Sequence, residues 1–258
     1  MSRTFLGQNF LIDPQAQNRI VQAFEPQGQF GEIGPGRGAI TQHLEKKYPE
    51  FWLFEKDPKM ADLYRSKSSL HLVEGDFIDW TFEIEGAPVE NFSLIGNLPY
   101  ESGTKMVLRV IENFPKIKHF VFMLQKEVVD RICAKPRTSD FGSLSVLVQT
   151  YYDVEALFVV PPSAFRPAPK VDSKVLRARA RLEAPSVDTF FHKFVHSCFL
   201  HKRKMLKNSI RSRFDPALVA ESLRKLGLSD TVRAEEIPVS LWPKFYGDLV
   251  NEQATGRK

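Results

Sequence analysis

The sequence predicts an α/β fold of the doubly wound, Rossmann-like type, followed by a small all-helical C-terminal domain. Three observations predict it. Short apolar runs alternate with helical segments as far as about residue 152; each of the earlier runs ends in a glycine or polar signature; and from about Ser186 the hydrophobic pattern is purely helical.

The elements follow in order. Asp13-Pro14 is a helix start, an acidic cap with proline at the first helical position, and Ile20, Val21 and Phe24 recur at helical spacing, so residues 14–24 read as a helix. The run around Phe30 and Ile33 ends in Gly34-Pro35-Gly36-Arg37-Gly38, and residues 39–48 read as helical until Pro49 stops them. Phe51-Trp52-Leu53-Phe54 before Glu55, Leu70 to Val73 before Asp76, and Phe92 to Ile95 before Asn97 read as buried strands. Lys105–Asn113 reads as a helix, Phe120 to Leu124 as a fifth strand, and Val146–Tyr152 as an apolar helix or strand. The alternation implies a parallel sheet. Two proline-rich breaks at 161–162 and 167–169 precede an alternating, half-exposed strand over 174–182. Helices then fall around 190–200, after Asp215-Pro216 as far as Gly227, and around 241–250. The expected domain boundary lies near Ala184–Ser186, dividing the chain into 1–184 and 185–258.

Composition narrows the class. The chain has 258 residues, enough for one α/β core and a small second domain. Hydrophobic residues make up 43% and charged residues 26%, and no run reaches the ~18 apolar residues of a membrane span. The N-terminus carries no secretory pattern, so a cytoplasmic protein is expected. Cys133 and Cys198 read as two reduced structural thiols. The net charge of +5 is mild, but no acidic residue lies between Thr189 and Phe214, where Lys193, Lys202, Arg203, Lys204, Lys207, Arg211 and Arg213 are concentrated. That segment points to a polyanionic partner, against the plainer alternative of a solvated helix face. His192, His196 and His201 lack an acid or a set of cysteines to complete a metal site, and no metal is expected. Nothing indicates a coiled coil, and a monomer is expected.

The chemistry-bearing residues sit at predicted strand ends. A glycine loop between the first core strand and its helix lets the backbone approach a nucleotide-like ligand, and an acid about 20 positions on can grip ribose hydroxyls. Glu55 follows Gly34 by 21 positions. The spacing Gly34-x-Gly36-x-Gly38 differs from the GxGxxG that shapes a pyrophosphate turn, so the ligand is read as lacking one. Asp76 is placed to accept from an adenine amine, although an Asp there also serves as a plain loop cap. Asn97-Leu98-Pro99-Tyr100 is the most telling element. An adenine N6 lone pair is delocalised and poorly nucleophilic; the Asn97 side-chain carbonyl and the Leu98 backbone carbonyl can accept both amine protons and aim the nitrogen at an electrophilic methyl. Pro99 holds the loop, and Tyr100 offers a stacking face worth ~1–3 kcal/mol.

These residues, with Gly7-Gln8-Asn9-Phe10-Leu11, Glu32-Ile33-Gly34-Pro35-Gly36, Met123 to Val128, Val160 to Phe165, Lys170-Val171-Asp172-Ser173, Arg203 to Ser209 and Arg233-Ala234-Glu235-Glu236, resemble the KsgA-type small-subunit ribosomal RNA adenine dimethyltransferases over nearly the whole chain. The resemblance implies a class I S-adenosyl-L-methionine-dependent methyltransferase fold. It also implies that Asn9, Leu11, Gly34, Glu55, Asp76 and Asn97 line the S-adenosyl-L-methionine pocket, with Gly36, Lys56 and Phe77 beside them. Asn97 and Tyr100 would position the target base, and Phe165 would form its second aromatic wall. The implied substrate is a pair of adjacent adenosines in the 3′-terminal hairpin loop of small-subunit rRNA, on an immature 30S subunit. Lys202, Arg203, Lys204 and Lys207 are then the expected RNA contacts. Departures from the family pattern are the short, weakly basic lead-in with Arg3, Glu101 after the tetrapeptide, and Arg37 in the glycine loop, which is expected to face solvent.

Three other readings compete. A large-subunit rRNA methyltransferase would share the fold and the Asn-Leu-Pro-Tyr element, but the blocks at 203–209 and 233–236 favour the small-subunit type. An RNA-binding assembly factor would not need intact Asn97, Tyr100, Glu55 and Asp76. An NAD-dependent oxidoreductase is the most distant, and NADH binding separates it.

Overall fold

Asp13 caps the first helix as its position before Pro14 predicts: its carboxylate accepts from the Gln15 amide at 2.9 Å. The computed structural model describes residues 9–84, 87–188, 190–201 and 204–255. A two-residue strand β1 (Phe10–Leu11) precedes that helix, α1 (Pro14–Ala23). There follow β2 (Phe30–Ile33), α2 (Thr41–Leu44), β3 (Phe51–Glu55), α3 (Pro58–Ala61), β4 (Leu70–Glu74), the small pair β5 (Glu83–Ile84) and β6 (Ala87–Pro88), β7 (Phe92–Asn97), α4 (Gly103–Glu112) and β8 (Ile117–Gln125). The chain continues through α5 (Lys126–Ile132), α6 (Ser143–Tyr151), β9 (Tyr152–Val160), β10 (Phe165–Arg166) and β11 (Ser173–Ala180). The helices α7 (Phe190–Cys198), α8 (Leu206–Ser209), α9 (Pro216–Lys225) and α10 (Trp242–Thr255) complete it.

The main sheet has the order β4-β3-β2-β7-β8-β11-β9. β4, β3, β2, β7 and β8 are mutually parallel, and their interior strands are buried almost throughout, which is why they read as continuous apolar runs. The expectation of a parallel sheet needs correction at one strand: β11 runs antiparallel to β8. β11 is reached from its other neighbour, β9, through the proline-broken stretch 161–172, which holds only a short 3-10 turn and β10 and no helix to carry a parallel crossover. The chain therefore turns back. The strand order reverses between β2 and β7, so the crevice at their carboxyl ends is the topological switch point where ligands collect in such sheets.

Other expectations shift in extent. The helix read over 39–48 is regular only over α2, and the strand read to 182 stops at Ala180, leaving Leu182 exposed. Val146–Tyr152 resolves into the end of α6 and the first residue of β9, and β9, α5, β1 and β10 had no counterpart in the periodicity.

Packing divides the described chain into two units, one comprising the residues up to Val129 with Asp153–Ala180, the other Asp130–Tyr152 with Arg181 onward. The cut after Ala180 lies close to the compositional boundary, but α6 groups with the C-terminal helices. In the first unit, an aromatic group of Phe54, Phe77, Trp80, Phe82 and Phe92 packs beneath the loop that follows β4. In the second, Phe194, Trp242 and Phe245 form the buried centre, Trp242 stacks on Phe199 at 5.5 Å, and the Tyr246 hydroxyl donates to Asp188 at 2.6 Å. Asp215 caps α9, and Gly227, at φ 73°, ends it in the left-handed conformation that favours glycine. No helix among the described residues is long and apolar enough to cross a membrane.

Candidate active site

The glycine loop leaves β2 with Gly34, Gly36 and Gly38 all at positive φ (65°, 52° and 83°). Its shape is set by Glu55 at the end of β3. One carboxylate oxygen accepts from the Gly36 amide at 3.0 Å, the other from the Asp57 amide at 2.8 Å, and Glu55 is only 3% exposed. The Tyr64 hydroxyl donates to the Gly36 carbonyl at 3.0 Å from the other side. A methyl group added at Gly34 or Gly75 would meet no atom of the described residues within 4 Å, so the backbone borders open space at both strand ends.

Below the loop lies a residue that spacing alone did not single out. Glu32 is 1% exposed and its carboxyl accepts from the Thr41 hydroxyl at 2.7 Å. Burial pushes this carboxyl up to about 8; the Thr41 hydrogen bond opposes the rise, and the nearby Glu55 and Glu45 carboxyls add to it. It is therefore protonated at neutral pH, with Thr41 tying α2 to β2.

Asp76 is both a cap and an ion-pair partner. One oxygen accepts from the Ile78 amide at 3.1 Å, beginning the 3-10 turn Phe77–Asp79, and the other meets the Lys56 ammonium at 2.6 Å. Partial burial raises this carboxyl, but Lys56 and the Ile78 amide outweigh it and hold it below the usual range. Arg109 on α4 donates to the carbonyls of Ile78 and Trp80, both at 3.0 Å, and so braces that turn. Phe77 is buried and meets Phe54 edge-on at 5.5 Å.

Asn97 ends β7 directly beside the glycine loop, because Gly96 pairs with Ile33 in register. Only glycine fits at 96: an added Cβ would stand 2.7 Å from the Ile33 carbonyl oxygen. The Asn97 amide Nδ2 donates to the Asn9 backbone carbonyl at 3.3 Å. The Leu98 amide donates to the Met123 carbonyl, and Pro99 accepts from the Gly103 amide at 2.7 Å where α4 begins. Tyr100 is half-buried and its hydroxyl shares a 2.7 Å hydrogen bond with Ser173, a fully buried residue opening β11. Ser173 lies in a motif quoted for the resemblance, yet nothing in the local sequence pairs it with a tyrosine 73 positions away.

Asn9 and Leu11 reach the site through the β1–β10 ribbon, in which Leu11 pairs with Phe165 and Phe10 with Arg166. Phe165 is 2% exposed and lies in the core cluster with Leu11, so little of its ring is presented outward. Arg37 is exposed, and its guanidinium stands over the Phe10 ring at 4.4 Å from the centroid. Glu101 is exposed. Gly7, Gln8 and Arg3 lie outside the described residues.

Of the expected RNA contacts, Lys202 and Arg203 lie outside the described residues. Lys204 is exposed, and Lys207 is paired with Asp230 at 2.9 Å, which makes it a poorer free cation than the sequence implied. His192 hydrogen-bonds the Tyr151 hydroxyl at 2.9 Å, whereas His196 and His201 are exposed. On β11, Arg177 pairs with Glu155 and Arg179 with Glu25. Cys133 and Cys198 form no disulfide.

The strand order and the site at the switch point define a class I S-adenosylmethionine-dependent methyltransferase fold. The same fold is found in a dimethyladenosine transferase from Plasmodium falciparum (TM-score 0.77, 22% identity, 96% of this chain and 98% of that one). It is found also in the 23S rRNA methyltransferase ErmE (TM-score 0.68, 24% identity, 94% of this chain and 100% of that one). The ribosomal RNA small subunit methyltransferase A of Nitrosospira multiformis is 37% identical over 246 residues, covering 92% of each chain. The chain belongs to the ribosomal RNA adenine dimethylase family, whose model matches residues 1–248. It is an enzyme that methylates adenine in ribosomal RNA.

Proposed function

We propose that this enzyme transfers methyl groups from S-adenosyl-L-methionine to N6 of two adjacent adenosines in the 3′-terminal hairpin loop of small-subunit rRNA. It acts as a cytoplasmic monomer on the immature 30S subunit, with residues 1–184 holding the cofactor and 185–258 contacting rRNA through Lys202, Arg203, Lys204 and Lys207. One observation carries the reading: the Asn97 amide, with its nitrogen turned to the Asn9 carbonyl, ends a strand beside an open glycine loop.

The residues present fit the cofactor. Gly34 and Gly75 border space that any side chain would fill, and Glu55 is oriented by two backbone amides that leave lone pairs for hydroxyl groups. Asp76 is held as a carboxylate able to accept from an adenine amine, with Asn9, Leu11, Gly36, Lys56 and Phe77 around the same crevice. S-adenosyl-L-methionine, when bound, supplies an electrophilic methyl on a sulfonium. The chain's own part is orientation. Asn97 Oδ1 accepts one N6 proton and the Leu98 carbonyl the other, which localises the nitrogen lone pair; Tyr100 stacks on the base, Pro99 shapes the loop, and Phe165 backs it. The proton displaced by the methyl passes to water.

The test is incubation of purified protein with isotopically labelled S-adenosyl-L-methionine and undermethylated small subunits, with large subunits in parallel, and mapping of the label. Dimethyladenosine at adjacent positions of the 3′-terminal hairpin is the expected result. Label confined to the large subunit, or tight binding without label, overturns it.

A further inference from the structure

We infer that Arg37 is a positioning residue: by clamping Phe10 it holds the Asn9 carbonyl that fixes which way the Asn97 amide faces. The inference rests on the reading that Asn97 Oδ1 accepts the adenine amine. An asparagine amide has two orientations with opposite hydrogen-bonding character, and only one presents an acceptor to the base. A backbone carbonyl can only accept, so the Asn9 oxygen selects the orientation in which Nδ2 turns to it, at 3.3 Å, and Oδ1 turns away. The opposite orientation would set oxygen against oxygen.

That selection works only if the Asn9 carbonyl stays in place, and Asn9 directly precedes a strand of just two residues. Pairing with β10 ties the backbone of Phe10 and Leu11 to that of Arg166 and Phe165, and further contacts hold the segment. The Ile12 amide donates to the Ala164 carbonyl at 2.8 Å, and Gln17 Nε2 donates to the Leu11 carbonyl at 3.1 Å. Both lie on the far side of Phe10 from Asn9. The Phe10 side chain is held by the glycine loop: the ring packs against Gly36, where an added Cβ would stand 3.3 Å from it, and the Arg37 guanidinium covers its face at 4.4 Å. No ion pair engages Arg37 among the described residues. The residue that departs from the family pattern thus has a specific contact, and its neighbour Gly36 supplies the amide from which Glu55 accepts, so one loop shapes the cofactor crevice and steadies the catalytic amide.

The experiment measures steady-state methyl transfer by Arg37→Ala, Arg37→Lys, Phe10→Leu and the Arg37→Ala/Phe10→Leu double variant, with the KM of the small subunit and the melting temperature of each. Arg37 is exposed, so its truncation leaves the fold intact. The expected result is a fall in kcat of about two- to fivefold for Arg37→Ala, the rate equivalent of an exposed cation–π contact, with little change in KM for the subunit. Arg37→Lys restores most of it, and the double variant is no slower than Phe10→Leu alone. A raised KM with unchanged kcat would make Arg37 an RNA contact and overturn the inference, as would additive losses in the double variant or unchanged rates throughout. Asn97→Ala is assayed beside them: full activity there sinks the reading of Asn97, independently of what Arg37 does.

Discussion

At the scale of single residues, the proposed roles of the tetrapeptide at the end of β7 divide orientation between a side chain that hydrogen-bonds, Asn97, and one that stacks, Tyr100. Asn97→Ala removes the acceptor for the amine and is expected to lower kcat by roughly a hundredfold or more while the protein still melts cooperatively, as measured with labelled cofactor and by thermal unfolding. Tyr100 separates differently. Its hydroxyl meets Ser173, and burial together with Asp172 raises the phenol above its ordinary value despite that hydrogen bond, so the ring stays neutral, as the proposed stacking role requires. Tyr100→Phe keeps the face and is expected to retain most activity. Tyr100→Ala loses stacking worth ~1–3 kcal/mol, about five- to 150-fold in kcat/KM. Equal losses in the two variants would assign the effect to the hydroxyl and not to the ring.

At the scale of elements, the site exists because β2 and β7 lie side by side and both end at the same level. Gly96 allows that approach: Gly96→Ala places a methyl 2.7 Å from the Ile33 carbonyl and 3.1 Å from Leu98, and is expected to destabilise by about 1–3 kcal/mol, read as a lowered melting temperature. Gly34→Ala is the contrasting case. Its methyl meets nothing, so the fold loses only about 1–2 kcal/mol for a left-handed alanine, but the methyl projects into the crevice. Calorimetric titration with S-adenosyl-L-methionine is expected to show an affinity loss out of proportion to the melting shift. An unchanged affinity would place the cofactor elsewhere.

For the whole molecule, two buried ionisable groups of the first unit set opposing pH dependences. Glu32 is raised by burial to about 8, so the unfolded chain loses this proton at lower pH than the folded one; its contribution to stability is complete below about 4.5 and is lost as pH rises through 8. His119 is 4% exposed, stacks on Phe24 at 5.5 Å, and has no hydrogen-bond partner for either ring nitrogen among the described residues. Burial, with Arg179 and Arg177 adding to it, lowers this imidazole to about 4; the folded chain resists protonation, and stability is lost as pH falls from 6.5 through 4. Between pH 4.5 and 6.5 the two slopes cancel. Thermal unfolding is therefore expected to show a plateau there and a decline on either side, of about 2 kcal/mol between pH 6.5 and 8 and under about 1 kcal/mol between pH 4.5 and 4. Glu32→Gln is expected to remove the alkaline decline, and His119→Phe, which also removes two unpaired buried nitrogens, the acid one. A single variant that flattens both sides would contradict this assignment.

The sequence alone determined what is local. Asp13-Pro14 and Asp215-Pro216 announced their helices, the apolar runs their buried strands, and the glycine loop, Glu55, Asp76 and Asn97 their places at strand ends, because helix caps, burial periodicity and turn chemistry act over a few residues. Tertiary structure decided which distant groups meet. It turned β11 antiparallel, set Ser173 on Tyr100 and the Asn9 carbonyl on Asn97, gave Asp230 to Lys207, and drew α6 in with the C-terminal helices. Periodicity records how buried a residue is and not what buries it, so partners far apart in the chain stay unread until the sheet order brings them together.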